Sequence, residues 1–242
     1  MDKLRIAMLV SGGGTTMREI LRAVESGLLS RVEPVLVIAS KPDAGGIEKA
    51  VAEGMSKENV LVLRPKAYSS PETFGEAILL ECRKRGVDFI GQYGWLPKTP
   101  ANVVEAYQGM MTNQHPGPLD PGRPDFGGPG MYGRRVHCAR LYFVRRAERD
   151  FCTEATVQRV APEFDKGAIL GRITIPINPG DDVATLQEKV LPQEHRLQIE
   201  TLLAFSEGRV RELIRSEPLV REGEHTILAE AKQVAGILFP RG

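Results

Sequence analysis

In the stretch Met110-Met111-Thr112-Asn113-Gln114-His115-Pro116-Gly117-Pro118, an amide and an imidazole stand two residues apart at the end of a short apolar run. If the run is a strand, side chains at i and i+2 leave from one face, so Asn113 and His115 project together. Both can donate hydrogen bonds, which suits a carbonyl oxygen on its way to becoming an oxyanion. Pro116, Gly117 and Pro118 then stop the strand and force an irregular turn, where open α/β sheets place their ligands. The same nine residues also describe a turn capped by Asn113 with a packed histidine, and taken alone they favour that plainer reading.

A second group able to do chemistry lies at the start of the chain. Residues 4–10 form an apolar run with one charge, Arg5, the look of a strand covered on both faces, and Ser11-Gly12-Gly13-Gly14-Thr15-Thr16 follows at once. Apolar residues at helical spacing over 17–24 complete a strand, glycine turn and helix. Glycines let backbone come close to an anion, and the N–H groups and dipole of a helix start attract phosphate, so Gly14, Thr15 and Thr16 are candidate phosphate ligands. The spacing is neither Walker A nor Gly-x-Gly-x-x-Gly, and a tight turn with a threonine cap is the competing reading. Tyr93-Gly94-Trp95-Leu96, with the only tryptophan, ends a further strand; Trp95 and Leu96 either wall a slot for a flat ring or simply pack.

The elements that must hold these residues follow from periodicity. Strands are expected at 34–39, 60–63 and from 89, with helices at 47–52 and 71–85, the latter opened by Pro71 and closed by Gly86. Four strands alternating with helices, then a fifth carrying Asn113, predict a doubly wound α/β fold: a mostly parallel sheet with helices on both faces. Residues 116–133 are rich in Gly and Pro, and a loop of that length beside a candidate site points to function. Beyond it the pattern predicts a helix at 134–144, a hairpin of 153–160 and 168–177, and a long helix from 182 to about 206. Residues 225–228 read as a last short strand. The expected division is a catalytic domain over 1–208, with halves at about 1–112 and 113–208, and a C-terminal extension over 209–242.

Composition narrows the partners. Thirty-two basic against thirty-one acidic residues give a formal charge of +1, so no global charge draws nucleic acid or an anionic membrane. No apolar run reaches membrane-spanning length, and the first residues have no secretory pattern, which predicts a cytoplasmic protein, monomer or homodimer, with small-molecule substrates. Cys82, Cys138 and Cys152 are too few and scattered for a disulfide framework or a zinc cluster.

In order and spacing the chain resembles the folate-dependent formyltransferases, most closely the glycinamide ribonucleotide branch of purine synthesis. The resemblance rests on Ser-Gly-Gly-Gly-Thr-Thr at the first turn, Ser40-Lys41-Pro42-Asp43-Ala44, Asn113-Gln114-His115-Pro116, Phe164-Asp165-Lys166-Gly167-Ala168-Ile169-Leu170 and Gln193-Glu194-His195. It implies a Rossmann-like formyltransferase fold, catalysis by Asn113, His115 and Asp165, phosphate binding by Gly14, Thr15 and Thr16, and a contact from Glu194 to the acceptor. The donor 10-formyltetrahydrofolate would sit between Tyr93, Gly94, Trp95 and Leu96 on one side and the turn from Val160 to Asp165 on the other, with no metal. Without the resemblance Asp165 reads as an ordinary turn acid. Three departures bear on the acceptor: Gly117-Pro118-Leu119-Asp120 replaces the usual Ser-Leu-Leu-Pro, Gln158 stands where many relatives have His, and the loop 123–135 has no counterpart. Other folate-dependent N-formyltransferases (acting on a nucleotide-sugar or on methionyl-tRNA), a 10-formyltetrahydrofolate hydrolase and a non-catalytic binding module remain as alternatives.

Overall fold

The computed structural model describes residues 3–242. Its strands follow the order β3-β2-β1-β4-β5-β6-β7 in a seven-stranded sheet: β1 (Leu4–Val10), β2 (Val32–Ala39), β3 (Val60–Val62), β4 (Phe89–Gln92), β5 (Met111–His115), β6 (Cys152–Arg159) and β7 (Ile169–Pro176). The pairs β1–β2, β1–β4, β2–β3 and β4–β5 are parallel and the hairpin β6–β7 is antiparallel, so the mostly parallel α/β sheet expected from the sequence is present. The helices are α1 (Thr15–Glu25), α2 (Gly46–Ala52), α3 (Pro71–Lys84), α4 (Ala101–Ala106), α5 (Arg134–Ala147), α6 (Val183–Ser206) and α7 (His225–Leu238).

The chain divides into two compact units, residues 1–113 with 198–210, and 114–197 with 211–242. In the first, β1 explains the burial by its alternation. Ile6, Met8 and Val10 join a cluster with Met17, Ile20 and Leu21 of α1, while Ala7 and Leu9 are equally buried outside it, as a strand covered on both faces requires. The β1–β2 register slips between Ile6 and Ala7, beside Pro34, which has no N–H to give the ladder. α3 begins with a full capping box, Ser70 with Thr73, and Pro71 in its first turn.

In the second unit, the core is built from α5, the hairpin, α6 and α7, with Phe143, Val157, Ile175, Val190, Leu228 and Ala231 all buried in one cluster. The segment 225–228 is not a strand. It opens the fourteen-residue helix α7, whose Leu228, Ala231 and Ala235 are buried at spacings of three and four. Four apolar-rich residues fit either period; the helical one emerges only over the whole stretch to Leu238.

Candidate functional site

In the first unit, the glycine turn is shaped by one close approach. Gly14 is the N-cap of α1 at φ 65°, and a Cβ on it would fall 2.5 Å from the Cα of Gly46, at the start of α2. Only glycine fits that backbone and that gap. The N-cap position is thus held by Gly14 and not by a threonine. Gly12 and Gly13 face open space, Thr15 is half-buried and Thr16 is buried. Ser11, which sequence reasoning passed over, ties the turn to the next loop. Its N–H donates to the Gly94 carbonyl at 3.0 Å, and its hydroxyl accepts from the Leu96 N–H at 3.0 Å and from the Ser40 hydroxyl at 2.7 Å. In that loop Tyr93 and Trp95 are buried, Trp95 stacking on Phe74 with centroids 6.3 Å apart, while Leu96 is exposed. Tyr93 thus contributes packing to the first core, and its phenol is pushed well above the usual range by burial.

Asn113 and His115 belong to one strand, β5, at positions of the same parity, and the register sets Asn113 opposite Gln92 of β4. His115 is 3% exposed, and its Nδ1 lies 3.8 Å from Oδ2 of Asp165, fifty residues on. Its Nε2 is buried with no hydrogen-bond partner among the described residues. Buried imidazole nitrogens are normally partnered. His137 of α5 is buried too; burial first, and then His115, push its pKa down to about 4.

Two steric facts deliver Asp165 to this place. It sits in the left-handed region at φ 56°, which Asp tolerates better than most residues. The turn holding it closes because Gly167 has no side chain: a Cβ there would overlap the Arg159 carbonyl at 1.7 Å, and Arg159 N–H bonds the Ala168 carbonyl at 2.9 Å. The Asp165 carboxylate accepts from Gln158 Nε2 at 2.6 Å on one oxygen and from the Gly128 N–H at 2.9 Å on the other. Gln158 therefore holds the acid, and the glycine-rich loop reaches it. Neither contact was anticipated, although the Gly-Gly pair at 127–128 was a signal that backbone must pass close to something.

The loop is a packed structure with Leu119 and Phe126 fully buried. Asp125 organises it by accepting from the N–H groups of Asp120 and Gly127 at 3.0 and 2.7 Å. Residues after 210 brace it from outside: Arg215 donates to the Leu119 carbonyl and pairs with Glu154, and Lys232 donates to the Gly127 carbonyl. Glu194 lies on the buried face of α6 in line with Leu186, Val190 and Leu197, and burial pushes its pKa up to about 8. A carboxyl on an apolar helical stripe is a signal legible in the sequence. Val160, just past β6, is half-buried. No group of side chains able to hold a metal occurs among the described residues.

An amide and an imidazole share one strand, and a carboxylate lies 3.8 Å from the imidazole; such groups can donate to a developing oxyanion and relay a proton. The chain belongs to the formyl transferase family, which matches it over residues 4–202. It is 33% identical over 223 residues to the chloroplastic phosphoribosylglycinamide formyltransferase of Arabidopsis thaliana, covering 91% of this chain and 72% of that protein. A crystal structure of glycinamide ribonucleotide transformylase 1 from Symbiobacterium toebii superposes with a TM-score of 0.75 at 28% identity, covering 87% of this chain and 94% of that one. Phosphoribosylglycinamide formyltransferase from Brucella melitensis gives 0.72 at 30% identity, covering 88% and 100%. The chain is an enzyme of this family with its Rossmann-like α/β fold.

Proposed function

We propose that the chain transfers the formyl group of 10-formyltetrahydrofolate to the amine of glycinamide ribonucleotide, a step of purine biosynthesis. The observation that carries this reading is the pair of buried His115 and Asp165, 3.8 Å apart, in a chain whose relatives bear that activity in their names. The acceptor nitrogen attacks the formyl carbon, the new C–N bond forms, and the carbonyl oxygen becomes an oxyanion that Asn113 and His115 stabilise by donating hydrogen bonds. Collapse breaks the bond to N10 of the folate. The proton lost by the acceptor passes to N10, through Asp165 and water, leaving tetrahydrofolate.

Gly14, Thr15 and Thr16 take the acceptor phosphate, and Glu194 its polar body. Tyr93, Gly94, Trp95, Leu96, Val160 and Asp165 frame the pterin, for which the exposed Leu96 is the readiest contact. Small molecules are the only partners required, and a reducing cytoplasm suits three cysteines that stand free. The relative from Arabidopsis thaliana is named as chloroplastic. Gln158 on Asp165 and the loop over 116–133, anchored by buried Leu119 and Phe126, favour a second reading, with the same donor and a different formylated amine. Steady-state assays with 10-formyltetrahydrofolate and single candidate amines decide between the two. Transfer to glycinamide ribonucleotide is expected; its absence at saturating concentrations, with transfer to another amine, would overturn the acceptor and keep the donor.

A further inference from the structure

We propose that Lys232, on the C-terminal helix α7 and outside the residues matched by the family, is a positioning residue for Asp165: its ammonium pins the carbonyl end of the Gly127–Gly128 peptide, whose N–H end holds the Asp165 carboxylate.

The two contacts belong to one planar unit. Lys232 Nζ donates to the Gly127 carbonyl at 2.9 Å, and the Gly128 N–H donates to Asp165 Oδ2 at 2.9 Å. In a trans peptide C=O and N–H point in opposite directions and cannot turn independently, so fixing the oxygen aims the hydrogen. A cation on the oxygen also polarises the N–H and strengthens its hydrogen bond, as in any chain of such bonds.

This peptide needs pinning because both of its residues are glycine. Gly128 already sits at φ 98°, and Gly127 has no side chain to resist rotation. A flipped peptide would turn its carbonyl oxygen against the Asp165 carboxylate. Gly127 cannot be stiffened by a larger residue, since a Cβ there would lie 2.7 Å from the Asp165 Cβ and 2.6 Å from the Leu119 Cδ2. The close approach requires glycine, glycine permits the flip, and an external clamp is what remains.

The placement of the lysine fits that task. It is partly buried, and the ionisable groups around its ammonium are Asp125, Asp165 and Lys166. Asp125 accepts from the Gly127 N–H, so the residue before the critical peptide is held at both of its polar ends.

The inference rests on the proposed role of Asp165, so its test has one arm that needs no turnover. In the unliganded full chain, Lys232→Met is expected to speed hydrogen exchange at the Gly128 amide about tenfold relative to its neighbours in α5 and β6, and Lys232→Arg to restore it. In the transfer assay Lys232→Met is expected to lower kcat about tenfold with both KM values within about twofold, again restored by Arg. Should Lys232→Met fold poorly, Lys232→Gln takes its place and is read in the same way. Gly128 exchange and kcat equal to the parent's would overturn the clamp. A parent protein without transfer activity would remove the proposed function, while the exchange arm would still decide whether Lys232 orients the peptide.

Discussion

Replacing Glu194 by Gln should make the protein more stable and its acceptor binding weaker, and the size of the first effect follows from burial. The carboxyl has an ordinary pKa of 4.5 in the unfolded chain and is pushed up to about 8 in the fold. Below the ordinary value both states hold the proton and nothing is lost. As pH rises from there towards 8, the unfolded chain gives up a proton that the folded chain keeps, so stability falls by about 1.4 kcal/mol per pH unit and then levels off. At pH 7 the cost is ~3 kcal/mol, which Gln, unable to ionise, does not incur. Urea denaturation of parent and Glu194→Gln at pH 5 and pH 8 reads this directly. The variant's advantage should be small at pH 5 and grow by a few kcal/mol at pH 8, while its KM for the acceptor rises. A difference in stability that stays constant across that range, or that shrinks at pH 8, would refute the account of Glu194 as a carboxyl kept neutral by its surroundings.

Gly127→Ala places a methyl against the Cβ of Asp165 and against Leu119, so the acid must shift. Stopped-flow or steady-state assays should show kcat down about a hundredfold, the cost of a displacement near 1 Å, with circular dichroism unchanged. Gly14→Ala combines a positive φ with a 2.5 Å approach to Gly46 and should open the turn between β1 and α1. Its expected signature is a KM for the phosphorylated acceptor raised about tenfold or more, with the folate KM close to the parent's.

What could be read in advance was local. β1, the glycine turn and α1 announce themselves because a doubly covered strand, a run of glycines and a helical stripe each occupy consecutive residues. The hairpin of β6 and β7 was legible for the same reason, and strand parity gave Asn113 and His115 one face, although those residues alone favoured a capped turn with a packed histidine. Asp165 needed the family resemblance, because nothing in a turn acid before Gly167 says that a histidine fifty positions earlier will stand 3.8 Å away. The supports of that acid were hidden for a further reason. Gln158 acts through a side-chain amide across the hairpin turn, and Gly128 acts through a backbone N–H, which has no sequence signature of its own. The helix α7 was missed because its first four residues fit a strand as well as a helix; its packing against α5 settles the period.

The bracing of the glycine-rich loop by Arg215 and Lys232 changes where functional variation should be sought. The family match stops at residue 202, yet the struts of the loop that touches Asp165 come from beyond it. Natural substitutions in that last stretch, easily dismissed as drift in a tail, would retune the acid proposed for catalysis from outside the residues that the family matches.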